Sequence, residues 1–205
     1  MIGVLKGILM PFQVWNDVVL RIGRGIAIVA IAMMVLAILI QVFFRYVLNN
    51  ALPWPDEAAR FMMLWMTGLI APTGFRRGGF VAIDMVVVAL PEKLGALLSL
   101  LLLVISAFVL YLAVQIGWGE VTGFGGKFAT ASLWLPFNFG GAGPLGFEWG
   151  WEKIPRSWMM ASLLLGVVLL LIVNIELLIR ALIQLLGGGD QIRPVPDNVE
   201  EIMAE

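Results

Sequence analysis

The stretch GIAIVAIAMMVLAILIQVFF, Gly25 to Phe44, decides the class of fold. Its most polar member is Gln41, and Arg24 and Arg45 bracket it. A membrane helix needs about 20 consecutive apolar residues to cross a hydrocarbon core about 30 Å thick, and this run meets that length. Working outward, three further stretches qualify: residues 56–75, stopped by Arg76-Arg77; 94–117, between Lys93 and Glu120; and 158–179, ended by Arg180. Composition agrees. Of 205 residues 61% are hydrophobic and 13% charged, with mean hydropathy +0.99, against an apolar share of about 45–50% and about 25% charged in soluble domains. A chain of this length buries only part of its surface in a core, so a soluble fold would leave much apolar surface in water. The expected fold is an all-α membrane protein with four transmembrane helices over residues 1–186 and a polar tail over 187–205.

Four spans put both termini on one side, and charge selects it. With the termini inside, the cytoplasmic positives are Lys6, Arg21, Arg24, Arg76, Arg77, Lys93, Arg180 and Arg193. The outer ones are Arg45, Arg60, Lys127, Lys153 and Arg156. The positive-inside rule then places both termini in the cytoplasm. Tyr46, Trp54, Trp118, Trp149, Trp151 and Trp158 gather at the expected outer interface, where amphipathic rings belong.

The connections differ in character. Between Arg45 and Pro55 the chain is short, and Pro55-Asp56-Glu57 is a good helix start: proline tolerates the first helical position and carboxylates suit the positive end of the dipole. After Arg76-Arg77-Gly78-Gly79, the run Phe80–Leu90 is too short to span and is broken by Asp84, so it reads as a short interfacial helix on the cytoplasmic side. The outer connection, residues 118–155, reads as a long Gly- and Trp-rich loop. Unstructured loops of that length are uncommon and often functional; a docking surface or a membrane-resting loop is expected there.

Several chemistries are excluded. The chain has no Cys and no His, which removes thiol nucleophiles, thiolate metal sites and the usual general base. Net charge is −1 without a basic cluster, against nucleic-acid binding. No small-residue cleavage site follows a short apolar core at the N-terminus, so no removed signal peptide is read. The glycines of Gly123-Phe124-Gly125-Gly126-Lys127 lack the strand–helix context and the Ser/Thr of a phosphate loop. No cofactor is expected.

The remaining polar residues sit near span ends. Arg60 lies one turn into the second span, on the same helix face as Glu57; Arg45 is placed to approach Asp56 or Glu57. This cluster reads either as an organiser of a helix pair or partner subunit, or as snorkelling side chains at water level. Glu176 reads as interfacial, pairing with Arg180 four residues on, with Asn174 beside it. Asp84 is placed to pair with Arg76 or Arg77. Pro72 should weaken or kink the second span. No span carries an ionisable group near its middle, so the chain lacks the polar groups of a solute path or proton relay.

Residues Arg45-Tyr46-Val47-Leu48-Asn49, Leu52-Pro53-Trp54-Pro55-Asp56-Glu57-Ala58-Ala59-Arg60-Phe61 and Trp65, followed by Arg76-Arg77-Gly78-Gly79, Val81-Ala82-Ile83-Asp84 and Leu90-Pro91, form an ordered set. It resembles the small membrane subunit (DctQ-like) of TRAP transporters, in motif over Gln41 to Pro91 and in span count and size over the whole chain. There are two departures: Gly79-Phe80 stands where that family often has a His, and the 117–155 connection is longer and more aromatic. The resemblance implies a sodium-coupled secondary transporter of organic acids, a large M subunit carrying the transport sites, a periplasmic substrate-binding protein, and a small subunit that is a static scaffold in the bacterial inner membrane. It leads us to expect Arg45, Trp54, Asp56, Glu57, Arg60 and Trp65 at a partner interface, and Arg76, Arg77 and Asp84 setting topology and the cytoplasmic-face helix. The alternative is a Q-like accessory subunit of another membrane complex, respiratory or photosynthetic. An enzyme or self-contained carrier fits poorly.

Overall fold

The computed structural model describes residues 2–77, 91–139 and 147–186. Four helices carry most of it: α1 (Ile2–Tyr46), α2 (Trp54–Arg76), α3 (Glu92–Thr122) and α4 (Ser157–Leu185). Between α3 and α4 lie a 3-10 turn (Phe124–Lys127) and two antiparallel strands, β1 (Ala129–Phe139) and β2 (Phe147–Pro155).

Among the described residues three helices are long and apolar enough to cross a membrane: Leu9–Tyr46, Leu94–Thr122 and Ser157–Leu185. The second expected span, 56–75, forms a helix but is not among them, because Arg60, Pro72 and the small or polar residues Thr67, Gly68, Thr73 and Gly74 lower its apolar content beyond the acidic start at Asp56 and Glu57. The expected interfacial helix of Phe80–Leu90 and the polar tail of 187–205 lie outside the described residues.

Helix α1 is longer than the apolar run implies. It starts at Ile2 instead of near Gly25, has 45 residues, and at 1.5 Å per residue extends about 68 Å. The reason lies in its buried stripe. Leu9, Asn16, Leu20, Gly23, Ala27, Ala30 and Ala37 recur at intervals of three, four or seven and are buried, so the mixed segment before Arg24 keeps the helical period. The stripe changes from Leu and Asn to Gly and Ala along its length. Small residues allow close helix approach where water offers no driving force. At the end of α1, Asn49 takes a left-handed conformation (φ 50°), a conformation asparagine tolerates, while Val47 and Asn50 donate to the Phe43 and Phe44 carbonyls. Pro55 and Pro72, both buried, sit at the second residue and within the last turns of α2.

Residues 118–155, read as a loop from sequence, instead continue α3 to Thr122 and then form the β1–β2 hairpin. Its register pairs Ala129 with Pro155, Trp134 with Lys153 and Phe139 with Phe147, with irregularities between Ala129 and Trp134 and between Leu135 and Phe137. Pro136 falls inside the second irregularity, where a missing ladder N–H is tolerated.

The chain divides into two compact units. One comprises 1–24, 70–114 and 166–205; the other 25–69 and 115–165. The first unit buries Leu9, Leu20, Leu169, Val173, Ala181 and Ile183 together with Asn16, Thr73, Arg76, Asn174 and Glu176. The second buries Ala27, Ala30, Ala37, Leu69 and Ile154 with Thr130 and Ser162.

Two candidate assembly sites

The first site is a buried charge cluster joining α1, α2 and α4. Glu176 on α4 has a side chain with no exposed surface. Its Oε1 accepts from Arg76 Nη2 at 2.9 Å and from Arg180, through Nε at 3.0 Å and Nη2 at 2.9 Å; its Oε2 accepts from Asn16 Nδ2 at 2.6 Å. Arg76, with a side chain only 6% exposed, donates through Nη1 to Asp17 Oδ1 at 2.5 Å. Two arginines and two carboxylates sum to zero. Burial of a charge is tolerated when it is paired, and here one carboxylate takes donors from three helices, while Arg76 Nε finds no partner among the described residues. Helix periodicity builds the cluster: Asn16 follows Leu9 by seven on the buried stripe of α1, and Arg180 follows Glu176 by four on α4, where neighbouring side chains meet.

The second site fixes the hairpin to the start of α2. Glu57 Oε1 accepts from the Ala131 backbone N–H at 3.0 Å and Oε2 from that of Ser132 at 2.6 Å. The Ser132 hydroxyl lies 2.5 Å from Oε2 and 3.2 Å from the Pro53 carbonyl. These amides belong to the irregular stretch between Ala129 and Trp134, where β1 leaves the ladder. The carboxylate supplies the acceptors that the partner strand does not. At the root of the hairpin, Arg156 N–H donates to the Phe128 carbonyl at 2.8 Å. Gly126 is buried there, and a Cβ on it would lie 2.8 Å from the Val121 carbonyl oxygen, so the close approach requires glycine.

The residues singled out in the sequence are distributed unevenly over these sites. Glu57 holds the hairpin and Arg76 the charge cluster. Arg45 lies over the Tyr46 ring, 5.9 Å from its centre; among the described residues no ion pair joins it to Asp56 or Glu57. Trp54, Asp56, Arg60 and Arg77 are exposed, and Trp65 is half-buried, tilted against Phe61 at 6.2 Å. Asp84 lies outside the described residues, and Arg76 pairs with Asp17 and Glu176. The Glu176–Arg180 pair expected from sequence is present, as part of a larger assembly. Asn16, Asp17 and Ser132 were not anticipated. The seven-residue step from Leu9 was the available signal for Asn16; nothing local marks Ser132, whose partner is 75 residues away.

The family model for the DctQ component of tripartite ATP-independent periplasmic transporters matches residues 34–184. The chain belongs to the DctQ family. No individually curated protein matches it. As a DctQ component it is the small membrane subunit of a transporter, and its apolar helices suit that place. The DctQ match takes in Glu57, Arg76, Glu176, Arg180 and the whole hairpin, whereas Asn16 and Asp17 precede it.

Proposed function

We propose that the chain is the non-catalytic scaffold of a sodium-coupled TRAP transporter that imports an organic acid together with a large M subunit and a periplasmic binding protein. The observation that carries this reading is the DctQ match combined with where the polar groups go. The buried charges tie helices of the chain to one another, while the apolar side chains of α3, among them Leu97, Leu101, Val104, Phe108 and Leu112, are exposed. Such a subunit offers packing surface and no conduit. In this reading residues 1–186 form one domain in the bacterial inner membrane, with α2 as a fourth span held among its neighbours, an interfacial helix at 80–90, and both termini cytoplasmic. Arg45, Trp54, Asp56, Arg60 and Trp65 face the partner, with Glu57 organising that end through the hairpin; Arg76, Arg77 and Asp84 set topology. The DctQ match does not favour a respiratory or photosynthetic complex.

The test is purification in mild detergent from cells expressing the transport operon. A large polytopic subunit should accompany the chain, and deleting the chain should abolish uptake. Isolation of the chain alone, or uptake that survives its deletion, refutes the proposal. Arg60→Ala should weaken co-purification if that residue faces the partner.

A further inference from the structure

We propose that the β1–β2 hairpin is an interfacial membrane anchor, with its Trp134-bearing face seated in the phospholipid headgroup layer. The inference rests on reading α3 and α4 as membrane spans.

Connectivity fixes the depth of the hairpin's root. β1 begins at Ala129, seven residues after α3 ends at Thr122, and β2 ends at Pro155, two residues before α4 begins at Ser157. The root is tied down further by the Arg156–Phe128 backbone bond and by Gly126 wedged against the Val121 carbonyl and Ser157. Both strands therefore leave from the level at which two apolar helices stop. Trp134 pairs with Lys153, two residues from Pro155, which at about 3.4 Å per residue is about 7 Å along the strand.

The exposed side chains have interfacial chemistry. Phe124 is 78% exposed and Trp134 52%; Trp118, Phe128 and Trp151 are exposed as well. Phe124 and Phe128 stack edge to face at 5.3 Å. Lys153 Nζ lies 5.3 Å from the Trp134 ring centre, and Lys127 and Arg156 are exposed at the root. Aromatic rings beside cations on long stems are the composition that settles between acyl chains and phosphates. Two acidic groups whose side chains are described are placed apart: Glu152 adjoins Lys153 in regular register and so points to the opposite face, and Glu120 lies on α3. On α3 the exposed side chains Leu97, Val104 and Tyr111 recur at intervals of seven and lead along one face to Trp118. That continuity, with a root at two span ends, favours a lipid interface over a soluble protein as the occupant. The anchor holds α3 and α4 at one depth, a useful property in a part that must stay still.

The absence of cysteine allows single labels. Trp134→Cys, Phe124→Cys, Glu152→Cys and Phe108→Cys are each made in the full chain, nitroxide-labelled, and reconstituted in phosphatidylethanolamine–phosphatidylglycerol vesicles. Collision with oxygen is then compared with collision with a water-soluble nickel chelate. The oxygen-to-nickel ratio should be highest at 108, and several-fold higher at 134 and 124 than at 152. Ratios at 134 and 124 equal to that at 152, with 108 still in lipid, overturn the anchor and leave the face open to a soluble protein. A water-like ratio at 108 removes the span reading and the anchor with it. Trp151→Cys provides the same reading if Trp134→Cys does not insert.

Discussion

In the unit containing Asn16, Arg76 and Glu176, three helices meet through charged and amide side chains with apolar residues around them. In the unit containing Ala27, Ala30 and Ala37, the same helix α1 presents a stripe of alanines, Gly117 of α3 comes so close to α4 that a Cβ would lie 3.2 Å from Leu164 Cδ1, and the polar contacts move to the hairpin. One sequence thus uses two means of holding helices together where hydrophobic association is weak: paired charge in one place, close backbone approach in the other. The first is sensitive to the loss of a charge, the second to added bulk. Each can be broken separately.

The largest effect is expected from Glu176→Ala. It leaves Arg76 with Asp17 and takes the Glu176 carboxylate away from Arg180, and removing one partner of a buried pair costs about 3–5 kcal/mol. Thermal unfolding in detergent should show most of the folded subunit lost, and an unchanged midpoint would remove the charge cluster from the account. Next comes Ala30→Leu. Forcing extra methylenes into the tight stripe should cost about 1–3 kcal/mol, read by the same unfolding assay, while Leu20→Met on the same helix should be nearly silent. Glu57→Ala should act locally. The Ala131 amide, exposed, and the Ser132 amide, half-buried, lose their acceptors, at about 1 kcal/mol each. Hydrogen exchange at those two amides should rise sharply, with little change in the global midpoint; equal exchange in both proteins would show that the carboxylate is not what holds the strand. The smallest effect belongs to Asp17→Asn, which keeps an acceptor for Arg76 on a partly exposed side chain. It should lower stability by less than about 1 kcal/mol, and a loss as large as that of Glu176→Ala would relocate the centre of the cluster.

What the sequence made legible follows from the range of each signal. Helix type and three of the spans were written in local hydropathy. The helix start at Pro55-Asp56-Glu57 was written in three adjacent residues, and the Glu176–Arg180 pair in two residues one turn apart. The extent of α1 was obscured because Lys6, Asp17 and Arg21 dilute a segment whose period is nonetheless helical. The hairpin was missed because glycines and a proline masked its strands, and because its irregular stretch is completed by Glu57, far away in sequence. Arg76 was assigned to the chain's topology from its neighbours Arg77 and Gly78. Its partners, Asp17 and Glu176, are 59 and 100 residues distant, beyond anything a local pattern reports.

The charge cluster also orders the making of the protein. Asp17 leaves the ribosome first, Arg76 next, and Glu176 a further 100 residues later. Until α4 is inserted, Arg76 has one carboxylate and Asn16 has no acceptor from that helix. The helices made before α4 therefore form an unfinished product, in which Arg76 is matched by Asp17 but not yet by Glu176. A chain truncated before Ser157 should unfold more readily in detergent than the full chain, and one that reaches Arg180 seals the cluster with α4.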